Sequence, residues 1–274
     1  MSLFIIDHKK CHRDGLCVTE CPGKLIEIVE EEGFPTPIAE AETLCINCGH
    51  CVAICPQGAL SLNTMSSKDC SPVRKELALS AEQGAHFLRS RRSTRNFKEK
   101  KMTPDLLTQL IDIARYAPSG HNLQPVHWLV ITDSQEVHRM AGLVADWMRF
   151  LINQGAEMAQ AYHMDRVVES WDKGVDRILR SAPHLVIAYG LKSLPTAQNA
   201  CTIALTYLEL AASSFGLGTC WAGYFNAAAN FYPPLSETLA LPAEYLPYGA
   251  MMVGYPKYTY QRIPLRNPAK IIWR

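Results

Sequence analysis

Beyond a polar run from Asn63 to Pro72, apolar residues recur at helical and strand periods to near the end of the chain. Ser80, with Gln83 three residues on and Phe87 and Leu88 following, predicts a helix opened by a capping box. Thr103 and Pro104 predict the start of a second, whose apolar face is Leu106, Leu107, Leu110, Ile111 and Ala114 and which Pro118 ends. Short apolar runs at His127 to Thr132, Pro183 to Tyr189 and Tyr248 to Val253 predict buried strands separated by helices. Gln135 to Arg180 is mostly helical in pattern and carries no assignable chemistry. Ala200 to Phe215 is apolar almost all round, which predicts a core helix or a subunit interface. The following GLGTC predicts a helix C-terminus with Gly216 or Gly218 left-handed, since a dinucleotide fingerprint would follow a strand and carry a third glycine.

A chain of 274 residues, 48% apolar, is long enough for two cores, and the composition shift after Leu62 places the boundary. The expected division is a small cysteine-rich domain at 1–68, a linker at 69–85 and a second domain at 86–274. The net charge of +1 gives no field for nucleic acid or an anionic membrane. The opening MSLFIIDHKK lacks the pattern of a secretory signal, and Ala200 to Phe215, interrupted by Glu209, falls short of the roughly 20 residues a membrane-spanning helix needs. The expected location is the cytoplasm, with neither membrane nor nucleic acid as partner.

Ten cysteines sharpen the picture, seven of them between Cys11 and Cys55. CINCGHCVAICP sets Cys45, Cys48, Cys51 and Cys55 at the C-x2-C-x2-C-x3-C-P spacing with which bacterial ferredoxins bind [4Fe-4S] clusters, the fourth cysteine serving the other cluster. CHRDGLCVTECP repeats the frame with Cys11, Cys17 and Cys21 but has Asp14 where the second cysteine would stand. Zinc sites separate paired ligands by longer spans, and disulfides are rare in a reducing compartment, so both competitors fit poorly. Residues 1 to about 62 closely resemble the two-cluster ferredoxins. The resemblance implies one cluster on Cys21, Cys45, Cys48 and Cys51 and another on Cys11, Cys17 and Cys55. Asp14 is either the fourth ligand, a harder and more exchangeable one than thiolate, or only a turn residue beside a three-thiolate [3Fe-4S] cluster. Cys70, Cys201 and Cys220 lie outside the frame and read as structural.

RRSTR gathers Arg91, Arg92, Ser93 and Arg95, a set suited to phosphate, and PSGHNLQP offers the amides of Asn122 and Gln124 after a turn at Pro118 to Gly120. These strings, followed in order by an apolar strand, GLGTCWAGYF and MMVGYP, resemble the FMN-dependent nitroreductase family over roughly residues 86 to 274. The resemblance implies an α+β protein whose C-terminal domain is a three-layer α/β/α arrangement with a mostly antiparallel sheet. It assigns Arg91, Ser93 and Arg95 to the FMN phosphate and ribityl chain, with Arg92 in the same string. Pro118, Ser119, Gly120, Asn122 and Gln124 match a loop that reaches FMN bound mainly by the other subunit of a homodimer. Ala222 and Gly223 match the backbone approach to the ring, and Arg262 a late phosphate-binding position, with Arg266 beside it.

The implied activity is that of an oxidoreductase. It takes electrons from a low-potential donor such as reduced ferredoxin and passes them through the clusters to FMN and on to a nitro compound, quinone or activated alkene. No acid or base is identifiable; Trp147, Trp171, Tyr224, Phe225, His121 and His163 are imaginable pocket residues, but residues of these types are more often core or surface. A non-catalytic electron relay and a redox sensor remain as alternatives.

Overall fold

The computed structural model describes residues 3–29 and 33–274. Met1 and Ser2, part of the leader argument above, lie outside them. The chain divides into two units, one running to Ala78 and including His121–Leu123, the other comprising Leu79–Gly120 and Gln124–Arg274.

The first unit is built twice over on one pattern. Strands β1 (Phe4–Ile6) and β4 (Leu60–Leu62) pair antiparallel, as do β2 (Ile26–Glu27) and β3 (Thr36–Pro37), with short helices α1 (Leu16–Glu20), α2 (Ala41–Leu44) and α3 (His50–Ile54) between them. Helices α1 and α3 each start from a left-handed glycine, Gly15 at φ 70° and Gly49 at φ 73°, two residues after a left-handed Arg13 or Asn47. Each is followed by a cysteine, Cys21 or Cys55, whose sulfur accepts a backbone N–H, from Leu25 at 3.4 Å or Ala59 at 3.2 Å. The duplicated cysteine frame therefore folds as a duplicated turn. Its small core holds Phe4, Ile26, Val52, Leu60 and Leu62 together with Cys17 and Cys51.

The second unit opens with α4 (Ala81–Ser90), where Ser80 Oγ accepts the Gln83 N–H and Gln83 Oε1 accepts the Ser80 N–H, the reciprocal box that the sequence predicts. Helix α5 (Pro104–Ala114) is capped by Thr103, whose Oγ1 accepts from Leu106 N. It ends at Ala114, four residues before Pro118, so the proline closes the following turn and not the helix itself. Then come β5 (His127–Ile131), α6 (Ser134–Asn153), α7 (Glu157–Ala161), α8 (Met164–Asp172), β6 (His184–Leu191), α9 (Ala197–Ser214), β7 (Gly218–Trp221), α10 (Gly223–Phe231), α11 (Pro233–Leu239) and β8 (Tyr245–Gly254).

The four strands form an antiparallel sheet in the order β5-β6-β8-β7. Along β6, Leu185 and Ile187 face a core built with α6, α8, α10 and α11, while Val186 and Ala188 face one built with α5 and α9. On β8, Ala250 and Met252 alternate in the same way with Met251 and Val253. Both faces are covered, so these strands read as continuous apolar runs and the domain has three layers. Strand β7 was not expected from the sequence. Gly216 is left-handed at φ 68° and ends α9, but Gly218 already belongs to the strand, and a side chain there would meet Thr94 Cβ at 2.7 Å. The glycine is required by that close approach, which brings the RRSTR segment against β7 through Thr94 N donating to Thr219 O at 2.8 Å.

His184 is fully buried, and its Nε2 accepts the Met102 N–H at 3.2 Å, so the neutral ring carries its proton on Nδ1. Burial, assisted by the Lys101 charge, holds its pKa below the usual 6.5. The unfolded chain therefore binds a proton that the native state refuses, and stability is lost as pH falls below about 6.5 towards the depressed native value. Thermal unfolding midpoints should decline over that window, and His184→Gln should flatten the decline; an unchanged slope would exclude His184 as its source.

Candidate cluster and cofactor sites

Among the described residues of the first unit, two small hollows divide the eight residues of the duplicated frame between them. One is lined by Cys21, Cys45, Cys48 and Cys51, the other by Cys11, Asp14, Cys17 and Cys55. In each, three positions come from one copy of the motif and one from the other, because the turn after each helix carries its last cysteine across. None of the ten cysteines is paired in a disulfide. Burial pushes the Cys51 thiol up to about 11 and raises Cys17 as well. Asp14 Oδ1 accepts the Leu16 N–H at 3.1 Å, closing an Asx turn just ahead of α1, whose N-cap is Gly15. That bond uses one carboxylate oxygen, and the side chain still lines the hollow with Cys11, Cys17 and Cys55.

In the second unit the RRSTR string runs extended beside β7, and its side chains part company. Thr94 is buried. Arg91 Nη1 binds Glu209 Oε1 at 2.9 Å, and Glu209 Oε2 accepts the Trp221 indole N–H at 3.2 Å. The guanidinium that the resemblance gives to phosphate is thus committed to a buried carboxylate. Arg92 lies over the Tyr260 ring at 5.9 Å, and Tyr260 Oη donates to Ser93 O at 3.0 Å. Arg95 points into an open cavity of about 480 Å³.

That cavity is lined by Arg95, Arg177 and Arg180, by Trp147, Met158, Tyr162, Met164 and Tyr224, and by Cys220, Trp221 and Gly223. Asp176 shapes the loop that delivers two of the arginines: Oδ1 accepts the N–H groups of Ile178 and Leu179 and Oδ2 that of Ser181, each at 2.8 Å, which holds Arg180 and Ser181 in left-handed conformations. Burial and then the neighbouring Arg95 charge lower the Arg180 pKa. Among the described residues no carboxylate lines the cavity, although the Asp176 charge acts on Arg180 from the loop behind it. Cys220 is buried in the core beside this cavity and lines its wall; burial raises its thiol pKa, while Arg95, Arg180 and Ser93 lower it. Helix α10 begins at Gly223 with no side-chain cap, leaving its first N–H groups available at that wall.

The remaining expected positions lie elsewhere. Pro118, Ser119 and Gln124 line a separate cavity of about 100 Å³ with Trp128, Ala200 and Ala204, and Ser119 Oγ accepts the Gln124 N–H at 2.9 Å. Gly120 packs beside Thr196, and Asn122 bonds within the first unit to the carbonyl oxygens of Ile46 and Asn47. Ala222 is buried, its N–H on Ala250 O at 2.9 Å. Arg262 and Arg266 are exposed in the irregular C-terminal segment. Of the aromatic and histidine candidates, Trp147 and Tyr224 reach the large cavity, Phe225 is fully buried, Trp171 stacks on His138 and His163 precedes α8.

Residues 88–255 match the model of the nitroreductase family. The chain belongs to this family. Residues 9–60 match the model of a 4Fe-4S dicluster domain, which adds a ferredoxin-like unit ahead of the nitroreductase domain. The iodotyrosine deiodinase of Thermotoga neapolitana is 25% identical over 172 residues, 61% of this chain and 86% of that protein. Among solved structures, an FMN-bound nitroreductase from Bacteroides fragilis superposes with a TM-score of 0.58 at 19% identity, covering 69% of this chain and 98% of its own. One from Desulfitobacterium hafniense, also FMN-bound, gives 0.55 at 23% identity, covering 69% and 96%. The nitroreductase domain thus carries the family fold with a cavity-lining loop, Arg177 to Ser181, that the sequence pattern did not reveal. Among the described residues, no helix is long and apolar enough to cross a membrane.

Proposed function

We propose that this nitroreductase-family oxidoreductase carries electrons from two iron–sulfur clusters to FMN and on to a small organic acceptor, a nitro compound, quinone or activated alkene. The observation that carries the proposal is the coexistence, in one chain, of two hollows each walled by four ferredoxin-frame residues and an arginine-lined cavity in a nitroreductase fold. Bound clusters supply one-electron transfer, and FMN couples it to two-electron reduction of an organic molecule.

The donor types suit these groups, thiolates for iron and guanidiniums for phosphate. Cys21, Cys45, Cys48 and Cys51 would hold one cluster, and Cys11, Cys17 and Cys55, with Asp14, the other. In the second unit Arg95, Arg177 and Arg180 place positive charge where an electron-rich ring edge or a phosphate is held, and the uncapped start of α10 at Gly223 offers backbone N–H groups. Trp147, Met164 and Tyr224 give the cavity an apolar wall that suits a flat acceptor. The family resemblance supports a homodimer in which Pro118, Ser119 and Gln124 serve the flavin of the partner subunit, and the iron–sulfur unit supports a one-electron donor such as reduced ferredoxin.

The test is to reduce the protein without oxygen and offer it nitroaromatics, quinones and activated alkenes. Saturable reoxidation by one class supports the proposal, whereas slow, unsaturable reoxidation by all of them removes the enzymatic role. Arg95→Ala should weaken FMN binding by roughly 10- to 100-fold, the loss of one charge-assisted contact of about 1.5–3 kcal/mol. Equal flavin retention after gel filtration would show that Arg95 does not hold the cofactor.

A further inference from the structure

The two residues between Cys45 and Cys48 are Ile46 and Asn47, and their backbone is held from outside the cysteine frame. Asn122 Nδ2 donates to Asn47 O at 2.9 Å and to Ile46 O at 3.4 Å. Both partners are acceptors, which fixes the nitrogen end of the amide towards them. Asn47 is left-handed at φ 52°, and its side-chain Oδ1 accepts from Thr64 Oγ1. Its own N–H donates to Cys45 Sγ at 3.4 Å. The Ile46 carbonyl and the Asn47 N–H belong to one planar trans peptide and point in opposite directions. Holding the carbonyl on one side therefore aims the N–H at the Cys45 sulfur on the other.

We infer that Asn122 is a positioning residue for the cluster held by Cys45 and not, as the family pattern gives it, a flavin ligand. The inference rests on the proposed ligation of iron by Cys45. A backbone N–H directed at a ligating thiolate offsets the negative charge gained on reduction, so it stabilises the reduced cluster and raises its potential. Without the Asn122 amide the Ile46–Asn47 peptide loses the tether on its carbonyl side, the N–H turns partly away from the sulfur, and that potential falls. The second cluster, on Cys11, Cys17 and Cys55, has no part in this contact.

Asn122 is itself left-handed, at φ 53°, so Asn122→Gly removes the amide without backbone strain. Asn122→Asp keeps the shape and replaces the donor by an acceptor. The experiment is an anaerobic potentiometric titration of the full chain followed by electron paramagnetic resonance, with iron, sulfide and FMN counted on each sample. Both variants should lower the midpoint of the four-thiolate cluster alone, so that at the wild-type midpoint its reduced fraction drops up to tenfold relative to oxidised, a tenfold change being about 59 mV for one electron. FMN content and the midpoint of the cluster beside Asp14 should not move. Selective loss of iron from the four-thiolate cluster would equally support the role. Unchanged midpoints, equal shifts in both clusters, or loss of FMN in place of a shift would overturn it. Wild-type protein without iron and sulfide would instead overturn the ligand assignment beneath it.

Discussion

Cys51→Ser should cost the protein one whole cluster and, with it, the order of the first unit. Cys51 is buried, stands on α3 in a hollow with Cys21, Cys45 and Cys48, and packs in a core that otherwise amounts to a few side chains such as Phe4, Ile26, Val52, Leu60 and Leu62. A unit of this size buries too little apolar surface to offset its chain entropy, and cross-links through metal ordinarily make up the difference. The serine hydroxyl is a poor substitute for thiolate at iron. The expected result is loss of about four irons per chain, together with loss of hydrogen-exchange protection in β1, β4 and α3. The second unit has its own two cores and should keep its protection and its flavin. Full iron content with unchanged protection would show that Cys51 is only a packing residue.

The second large effect is expected inside the nitroreductase domain. Glu209 is 6% exposed on the otherwise apolar buried face of α9, and its two oxygens satisfy Arg91 and the Trp221 indole. Glu209→Ala leaves a guanidinium and an indole N–H without their partner in a half-buried position, and breaking such a pair costs about 3 kcal/mol. Glu209→Gln keeps an acceptor for one of them and should cost clearly less. If Arg91 acts mainly through Glu209, the double variant Arg91→Ala with Glu209→Ala should be less destabilised than the sum of the singles, because the second removal has nothing left to unpair. Denaturant midpoints of the FMN-loaded protein measure this; strict additivity would contradict the pairing.

Much of the architecture was legible because the signals were local. The capping residues Ser80 and Thr103 fix helix starts within a few residues of themselves, and the cysteine spacing contains both copies of the turn that builds the first unit. The apolar runs of β6 and β8 marked strands covered on both faces. What stayed hidden depends on tertiary approach. Strand β7 is short, lies at the sheet edge and begins at a glycine that follows the left-handed Gly216, so its pattern looks like a continuing turn. Glu209 read as a blemish in an apolar helix, since its partner lies 118 residues away. Arg177 and Arg180 carried no motif; they enter the cavity only because Asp176 folds the loop behind them. Asn122 sat in a polar string that suited a flavin edge, and nothing in that string announced the carbonyl groups of Ile46 and Asn47.

The central claim is that one polypeptide holds iron and sulfide on its cysteine frame and FMN in its nitroreductase domain. Purification and reconstitution without oxygen, followed by counting metal, acid-labile sulfide and flavin per chain, tests it most directly. The account predicts about seven or eight irons with matching sulfide, and FMN bound in the same molecules that lose it on Arg95→Ala. Zinc in place of iron and sulfide, or protein that takes up iron but stays free of flavin when FMN is supplied, would contradict it.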